Sequence, residues 1–106
     1  YNEFLSNSSL RLPTVSSNCQ HVYYLYVCRH PERDKIICEL ETQSINLNVS
    51  YRWPIHLMKG YEYLGYQLGD LPNTEKACNE VFSLPMYPTL TFGDQEKVIE
   101  ALLHIV

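Results

Sequence analysis

The segment from Val81 to Thr91, VFSLPMYPTLT, constrains the fold of this chain more than any other stretch. Pro85 and Pro88 each remove a backbone N–H donor and fix φ, so the segment is not expected to be a central β-strand. Thr91, followed three residues later by Asp94, is a variant of the capping box that begins a helix. The pattern therefore predicts a stiff, irregular, strand-like link that leads from one helix to the next.

Length and charge limit the chain to one small domain and disfavour two classes of partner. Its 106 residues can form one core, which buries roughly 65% of the unfolded surface in a domain of this size. The net charge is −4 and the eight basic residues are scattered, which disfavours binding to nucleic acid or to anionic membranes. No apolar run could cross a bilayer and no signal peptide is visible. The chain starts at Tyr1 without a methionine, which indicates a piece of a longer protein or a missing leader.

The first half of the chain predicts a strand, a helix and a second strand. Residues 21–29, HVYYLYVCR, are rich in β-branched and aromatic side chains and almost continuously apolar, which indicates a strand buried on both faces. Residues 31–43 have the apolar spacing of an amphipathic helix. Residues 45–49 alternate between apolar and polar side chains, which is typical of a half-buried strand.

The second half predicts three helical segments and the strand-like link. Residues 55–66 read as a short helix followed by a turn, because Gly60 and Gly65 interrupt them. Asn73 or Thr74 caps the next helix, and a final helix covers residues 92–105. The predicted inner faces of these two helices are Ala77, Cys78, Val81 and Phe82 in the first, and Val98, Ile99, Leu102 and Leu103 in the second.

This order, β-α-β-α-α-β-α, predicts an α+β fold. We expect a small sheet of about three strands with helices packed on one face.

The four cysteines predict no metal site. The gaps between Cys19, Cys28, Cys38 and Cys78 match no zinc or redox pattern, and Cys19 with His21 offers too few ligands for a metal. The last three lie beside apolar residues in predicted elements. We therefore expect free thiols, buried at those three positions, in a cytoplasmic protein.

Four stretches of the sequence form an ordered series. They are YNEFLSNSSLRLP, HVYYLYVCRHPERDKIICELETQSI, NVSYRWPIHLMKGYEYLGY and VFSLPMYPTLTFGDQEKVIEAL. The third contains Pro54, the pair His56-Leu57 and a Tyr-x-x-Leu-Gly-Tyr run from Tyr61 to Tyr66. In order and spacing the series resembles the C-terminal small domain of the DegT-type nucleotide-sugar aminotransferases, which are fold-type-I enzymes dependent on pyridoxal phosphate (PLP). The resemblance implies an interdomain helix end and linker at residues 1–20 and the small domain at residues 21–106.

The resemblance also implies a function for a larger protein. Such an enzyme transfers an amino group from an amino acid such as glutamate to a keto sugar nucleotide. Its N-terminal large domain holds the lysine that bonds PLP, and the full-length enzyme is expected to be a homodimer. None of the four lysines here has the desolvated setting that such a lysine needs, so these residues alone are expected to bind no PLP and to be inactive. The alternative is a stand-alone α+β binding or regulatory module without catalysis.

The resemblance places the substrate loop at residues 50–56. The candidate substrate-binding residues are Ser50, Tyr51, Arg52, Trp53 and His56. A guanidinium can pair with a phosphate or carboxylate, an indole can stack on a sugar or base, and an imidazole can transfer protons. The alternatives are a surface arginine, a tryptophan that caps the core and a structural histidine. Many relatives have histidine in place of Ser50 and a proline-containing pair in place of Arg52-Trp53, which leaves the acceptor open.

The start of the chain predicts an exposed apolar patch. In the family the small domain packs against a large one, so a face of this domain should lack its cover. The candidates are Phe4, Leu5, Leu10 and Leu12.

Overall fold

A computed structural model describes all residues from 1 to 106. Its helices and strands are α1 (Asn2–Leu5), β1 (Tyr26–Arg29), α2 (Arg33–Thr42), α3 (Pro72–Glu80), β2 (Val81–Leu84) and α4 (Phe92–Leu103). Two short 3-10 helices, Ile55–Leu57 and Lys59–Leu64, lie between α2 and α3. The predicted α+β class is confirmed, and the elements follow the predicted order after α1.

The sheet consists of two antiparallel strands and two edge segments. Tyr26 of β1 lies opposite Leu84 of β2, and Cys28 lies opposite Phe82. Arg11 makes a single bridge to the outer edge of β1, and Asn48 makes one to β2. The predicted second strand at 45–49 therefore joins the sheet at one residue only. Its exposure alternates as predicted, with Ile45, Leu47 and Val49 half-buried against the core.

The prediction that the proline-containing segment avoids the centre of the sheet is wrong for its first four residues. Residues 81–84 lie between β1 and Asn48, and the Ser83 amide donates to the Asn48 carbonyl at 2.8 Å. Both prolines come after β2 has ended, so neither interrupts the ladder. Val81 and Phe82 were also predicted to continue the preceding helix. The helix instead ends at Glu80, and Val81 has extended backbone angles. The prediction that Asn73 or Thr74 caps this helix is also wrong, because the helix begins at Pro72 and Leu71 occupies the N-cap position without a side-chain hydrogen bond.

The helices cover one face of the sheet and leave the other face open. Side chains of both strands meet residues of α1, α2 and α4 in one core, which consists of Leu5, Leu10, Tyr26, Cys28, Ile36, Leu40, Phe82, Leu84, Val98, Ile99, Ala101 and Leu102. The prediction that 21–29 is a strand buried on both faces is wrong. The strand begins at Tyr26, and Val22 and Tyr24 are 85% and 86% exposed. No second layer packs on the far face of the sheet, so alternate residues of β1 stay accessible.

Several single-residue predictions are corrected by the packing. Leu5 and Leu10 belong to the core and not to an exposed patch, and Leu12 is half-buried against that core, whereas Phe4 is exposed. On α4, Leu103 is exposed and Ala101 is buried in its place. Cys38 is exposed, while the predicted burial of Cys28 and Cys78 is confirmed and all four cysteines are free thiols.

Helix α4 begins as its sequence predicts. The Asp94 amide donates to Thr91 Oγ1 at 3.1 Å, and that hydroxyl donates to Asp94 Oδ2 at 2.6 Å. The hydrogen bond from the Thr91 hydroxyl to the carboxylate, together with Lys97, holds the pKa of Asp94 below its usual range. The predicted variant of the capping box is thus confirmed, with Thr91 as the N-cap and the Asp94 carboxylate on its hydroxyl.

One long segment projects from the body of the domain. Every residue from 57 to 71, a stretch that we call the arm, is exposed. The radius of gyration is 15.7 Å, against about 13 Å for a compact domain of this length. None of the helices is both long and apolar enough to span a bilayer.

Candidate functional site

The predicted substrate loop leaves the sheet at a well-anchored point. Asn48 bonds to β2 through its carbonyl, and its side-chain Nδ2 donates to Ser50 Oγ at 2.9 Å. Six residues later Pro54, with φ −68° and ψ 130°, leads the chain into the first 3-10 helix. Both ends of the loop are held, so residues 50–53 are presented from a stiff base.

The beginning of the loop borders a shallow apolar concavity on the open face of the sheet. The concavity has a volume of about 100 Å³. Its lining residues are Leu25, Val27, Ser50, Tyr51, Val81, Phe82 and Ser83. The structure therefore brings two of the predicted site residues, Ser50 and Tyr51, to the same apolar surface. A cleft of this size accepts a group no larger than a few methylenes, not a whole sugar nucleotide.

Arg52 points to a carboxylate on α2. Its Nη1 lies 3.4 Å from Asp34 Oδ1, which also accepts a hydrogen bond from Arg33 Nε at 2.8 Å. Trp53, the next residue, has 67% of its surface exposed. Arg52 and Trp53 thus stand at the solvent side of the loop, where a second surface or a ligand could contact both.

His56 is separated from the other predicted site residues by burial. It is 6% exposed, and its Nε2 lies 3.0 Å from Glu75 Oε1 on α3. An ionised carboxylate only accepts hydrogen bonds, so Nε2 carries the proton and donates. The edge of the His56 ring meets Tyr66 of the arm, with ring centroids 5.9 Å apart. In this structure His56 acts as a structural anchor between the loop, the arm and α3.

Glu75 closes the base of the arm. Besides His56, its carboxylate accepts hydrogen bonds from the Gly69 amide at 2.9 and 3.1 Å and from the Leu71 amide at 3.3 Å. Burial by itself would raise the pKa of Glu75, but the hydrogen bonds from His56, Gly69 and Leu71 outweigh it and lower the pKa. One side chain thereby ties His56, which directly precedes the arm, to Gly69 and Leu71 at its end.

Replacing Glu75 with glutamine should loosen the arm. The substitution keeps the shape of the side chain but removes the charge that strengthens the hydrogen bonds from three donors, His56, Gly69 and Leu71. We expect faster amide exchange at Gly69 and Leu71 near pH 7, measured by hydrogen–deuterium exchange with mass spectrometry.

The effect should depend on pH. The folded pKa of Glu75 lies below the ordinary 4.5, so the stabilisation is fully present above pH 4.5 and is lost as the pH falls through the folded value. Glu62→Gln, an exposed change within the arm, is the matched control. Equal exchange in the wild type and the Glu75 variant at pH 7 would contradict the role of Glu75.

The lysines do not fit a bond to a carbonyl cofactor. Lys35, Lys76 and Lys97 have side chains that are 56%, 70% and 75% exposed, and each lies within 4.0 Å of a carboxylate on its own helix. Lys59 is exposed in the arm. A Schiff-base lysine needs a desolvated pocket, and none of these positions provides one, so we assign no cofactor contact to these residues. No group of three or more His, Cys, Asp or Glu residues could hold a metal ion.

Sequence reasoning missed Arg33, Asp34 and Glu75. Arg33 is only 3% exposed, and its Nη1 donates to the carbonyls of Cys78 at 2.7 Å and Val81 at 3.2 Å. A signal was available, because Arg33 precedes Ile36, Ile37 and Leu40 at helical spacing and therefore lies on the buried face of α2. For Glu75 there was no signal, since its partners come together only when the arm folds back.

The chain forms a small α+β domain with an open sheet face and a projecting arm. Its sequence identifies the family. The profile of the DegT/DnrJ/EryC1/StrS aminotransferase family matches residues 1–103, and the chain belongs to that family.

Several relatives of the chain are named as sugar transaminases, and the relatives are much longer than the chain. The chain is 49% identical over 98 residues to the dTDP-3-amino-3,4,6-trideoxy-α-D-glucose transaminase of Micromonospora megalomicea subsp. nigra, covering 92% of this chain and 26% of that protein. The fold matches DesV of S. venezuelae, solved with a ketimine intermediate, with a TM-score of 0.88 and 28% identity. The match covers 97% of this chain and 29% of DesV.

A second solved structure is NtdA of Bacillus subtilis with bound PMP. It matches with a TM-score of 0.77 and 31% identity, over 97% of this chain and 24% of NtdA. The chain thus spans about a quarter of the length of the relatives that it matches.

Proposed function

We propose that residues 21–106 are the C-terminal small domain of a PLP-dependent sugar aminotransferase, and that residues 1–20 are the end of its interdomain helix and the linker. The whole protein would transfer an amino group from an amino acid such as glutamate to a keto sugar nucleotide. The observation that carries this proposal is the 49% identity, over 92% of the chain, to a dTDP-sugar transaminase. The family match over residues 1–103 agrees with it.

In this proposal the loop of residues 50–56 contacts the substrate. Arg52 pairs with an anionic group, and Trp53 offers an exposed ring for stacking. Ser50 and Tyr51 place an apolar group of the substrate against the concavity beside them. His56 already donates to Glu75, so its contribution is to hold the loop. A direct contact between His56 and substrate stays a prediction.

The remaining parts of the site are proposed to come from outside these residues. An N-terminal large domain would supply PLP and the lysine that bonds it, because the four lysines here are solvated. The open face of the sheet and the exposed aromatic residues of the arm would be covered by that domain or by the second subunit of a homodimer. Two buried free thiols agree with a reducing compartment, so we place the reaction in the cytoplasm.

The test compares the whole protein with residues 1–106 expressed alone. After incubation with PLP and desalting, the whole protein should keep a visible cofactor band and exchange amino groups between glutamate and a dTDP-linked keto sugar. Residues 1–106 should keep no band and show no turnover. Borohydride trapping of PLP on one specific lysine among these residues would refute the inactivity of the isolated domain. Absence of PLP and of turnover in the whole protein would support the alternative of a non-catalytic module.

A further inference from the structure

One carboxylate connects the substrate loop to the core of the domain. Asp34 Oδ1 accepts from Arg33 Nε at 2.8 Å and lies 3.4 Å from Arg52 Nη1. Arg33 and Asp34 form the first turn of α2, whereas Arg52 belongs to the loop. The Asp34 carboxylate therefore stands between a buried arginine and an exposed one.

The buried arginine makes the position of Asp34 rigid. Arg33 is 3% exposed, and its Nη1 donates to the carbonyls of Cys78 and Val81 at the junction of α3 and β2. The guanidinium is planar, so two hydrogen bonds from Nη1 also fix the direction of Nε. Asp34 is 71% exposed, yet its Oδ1 is held by a group that belongs to the core.

We propose that Asp34 is a positioning residue for Arg52, which it holds in the orientation that receives an anionic group of the substrate. The proposal rests on the function proposed above for the loop. Only one of the five N–H groups of Arg52 faces Asp34. The remaining N–H groups can form a bidentate pair with a phosphate or a carboxylate. The anionic group belongs either to the diphosphate of the sugar nucleotide or to the carboxylate of the amino acid.

The net charge around Asp34 decides whether this residue favours substrate binding, by ordering Arg52, or opposes it, by repelling the anionic group. An isolated carboxylate near the loop would repel an anionic substrate. Arg33 already compensates Asp34 at 2.8 Å, so the three groups together have a net charge of +1. The repulsion is therefore small, and the ordering of Arg52 is the larger effect.

The expected effect is modest because the pair is exposed. Arg52 and Asp34 have side chains that are 41% and 71% exposed, and exposed ion pairs contribute little in water. Removing Asp34 should therefore raise the KM for the anionic substrate by about 2- to 5-fold. The value of kcat should not change, because the lost interaction is present equally in the ground state and the transition state.

The experiment is a double-mutant cycle in the whole protein. The assay runs transamination in reverse, with dTDP-3-amino-3,4,6-trideoxy-α-D-glucose and 2-oxoglutarate, so that the KM of each substrate is measured separately. The variants are Asp34→Ala, Arg52→Ala and the double variant. Asp34→Glu should restore part of the effect, and Glu41→Ala, an exposed change on the same helix, is the matched control.

We expect Asp34→Ala to raise the KM of one of the two substrates and to have no further effect in the Arg52→Ala background. The substrate whose KM rises identifies the source of the anionic group. An equal effect of Asp34→Ala in both backgrounds would mean a general structural role and overturn the proposal. A lower KM in Asp34→Ala would mean that Asp34 competes with substrate, which overturns it as well.

A second measurement does not depend on turnover. In crystals of the whole protein, the Arg52 side chain should be ordered towards Asp34 in the wild type and disordered in Asp34→Ala, with the core unchanged. An Arg52 side chain that keeps the same orientation in both proteins would overturn the positioning role. If the wild-type protein shows no transamination, the proposed function fails, while this comparison still decides whether Asp34 positions Arg52.

Discussion

Replacing Phe82 with alanine should lower the free energy of unfolding of this domain by about 3–5 kcal/mol. Phe82 is 1% exposed and is among the largest fully buried side chains of the chain. It lies on β2 opposite Cys28 and packs into the core beneath α2 and α4. Truncation removes a buried ring and leaves a cavity that the two strands and the helices cannot collapse to fill. Native-state hydrogen exchange of the slowest core amides measures the loss.

The control for Phe82 is another phenylalanine of the same chain. Phe92 is 87% exposed, so Phe92→Ala makes the same chemical change without creating a cavity. Its effect should lie within about 0.5 kcal/mol of zero. Similar losses in the two variants would mean that burial of Phe82 does not determine its contribution.

Replacing Arg52 with alanine should lower kcat/KM of the whole protein by about 10- to 150-fold for the substrate whose anionic group it binds. A hydrogen bond to a charged group contributes about 1.5–3 kcal/mol, and each 1.4 kcal/mol is a factor of ten. The expected loss is larger than that for Asp34 because Arg52 itself would contact the substrate. Steady-state kinetics with both substrates measures the loss, and an unchanged melting temperature shows that the fold is intact.

Arg11 provides the comparison for Arg52. It is exposed and pairs with β1 at the edge of the sheet opposite to Asn48, away from the loop. Arg11→Ala should change kcat/KM by less than a factor of about 2.5, which corresponds to 0.5 kcal/mol. If Arg52→Ala is as silent as Arg11→Ala, Arg52 does not contact substrate. If Tyr51 and Trp53 substitutions are silent too, the loop is not the substrate site.

Local signals in the sequence were sufficient for the elements whose causes are local. The capping box of Thr91 and Asp94 acts within one turn, and the start of α4 was correct to the residue. The apolar spacing after Pro31 predicted α2 within two residues at its start and one at its end. The alternation of residues 45–49 gave the correct exposure pattern, although regular pairing is limited to a single bridge. In the first two cases the deciding interactions join residues a few positions apart, whereas the exposure of residues 45–49 follows from the alternation of side chains along an extended segment that packs on the core.

Tertiary structure decided the features that depend on which elements pack on the sheet or on hydrogen bonds between residues distant in sequence. The apolarity of residues 21–29 could not reveal that helices cover only one face of the sheet, which leaves Val27 36% exposed. Helix α3 ends at Glu80 because the residues that follow it pair with β1. Arg33, 45 positions away from Cys78, also donates a hydrogen bond to the Cys78 carbonyl at this junction. Propensity alone would have continued that helix, and non-local hydrogen bonds outweighed it.

The same division applies to the candidate site. Residue types and order placed Ser50, Tyr51, Arg52, Trp53 and His56 in one loop, because a stretch between a strand and a proline stays contiguous in any fold. The sequence by itself thus determined the family, the α+β class and the position of the loop. Only the tertiary structure separated His56 from the other four, by burying it against Glu75, and joined Arg52 to Asp34. Those contacts link residues 18 and 19 positions apart, and such pairs become neighbours only when the core brings α2, the loop and α3 together.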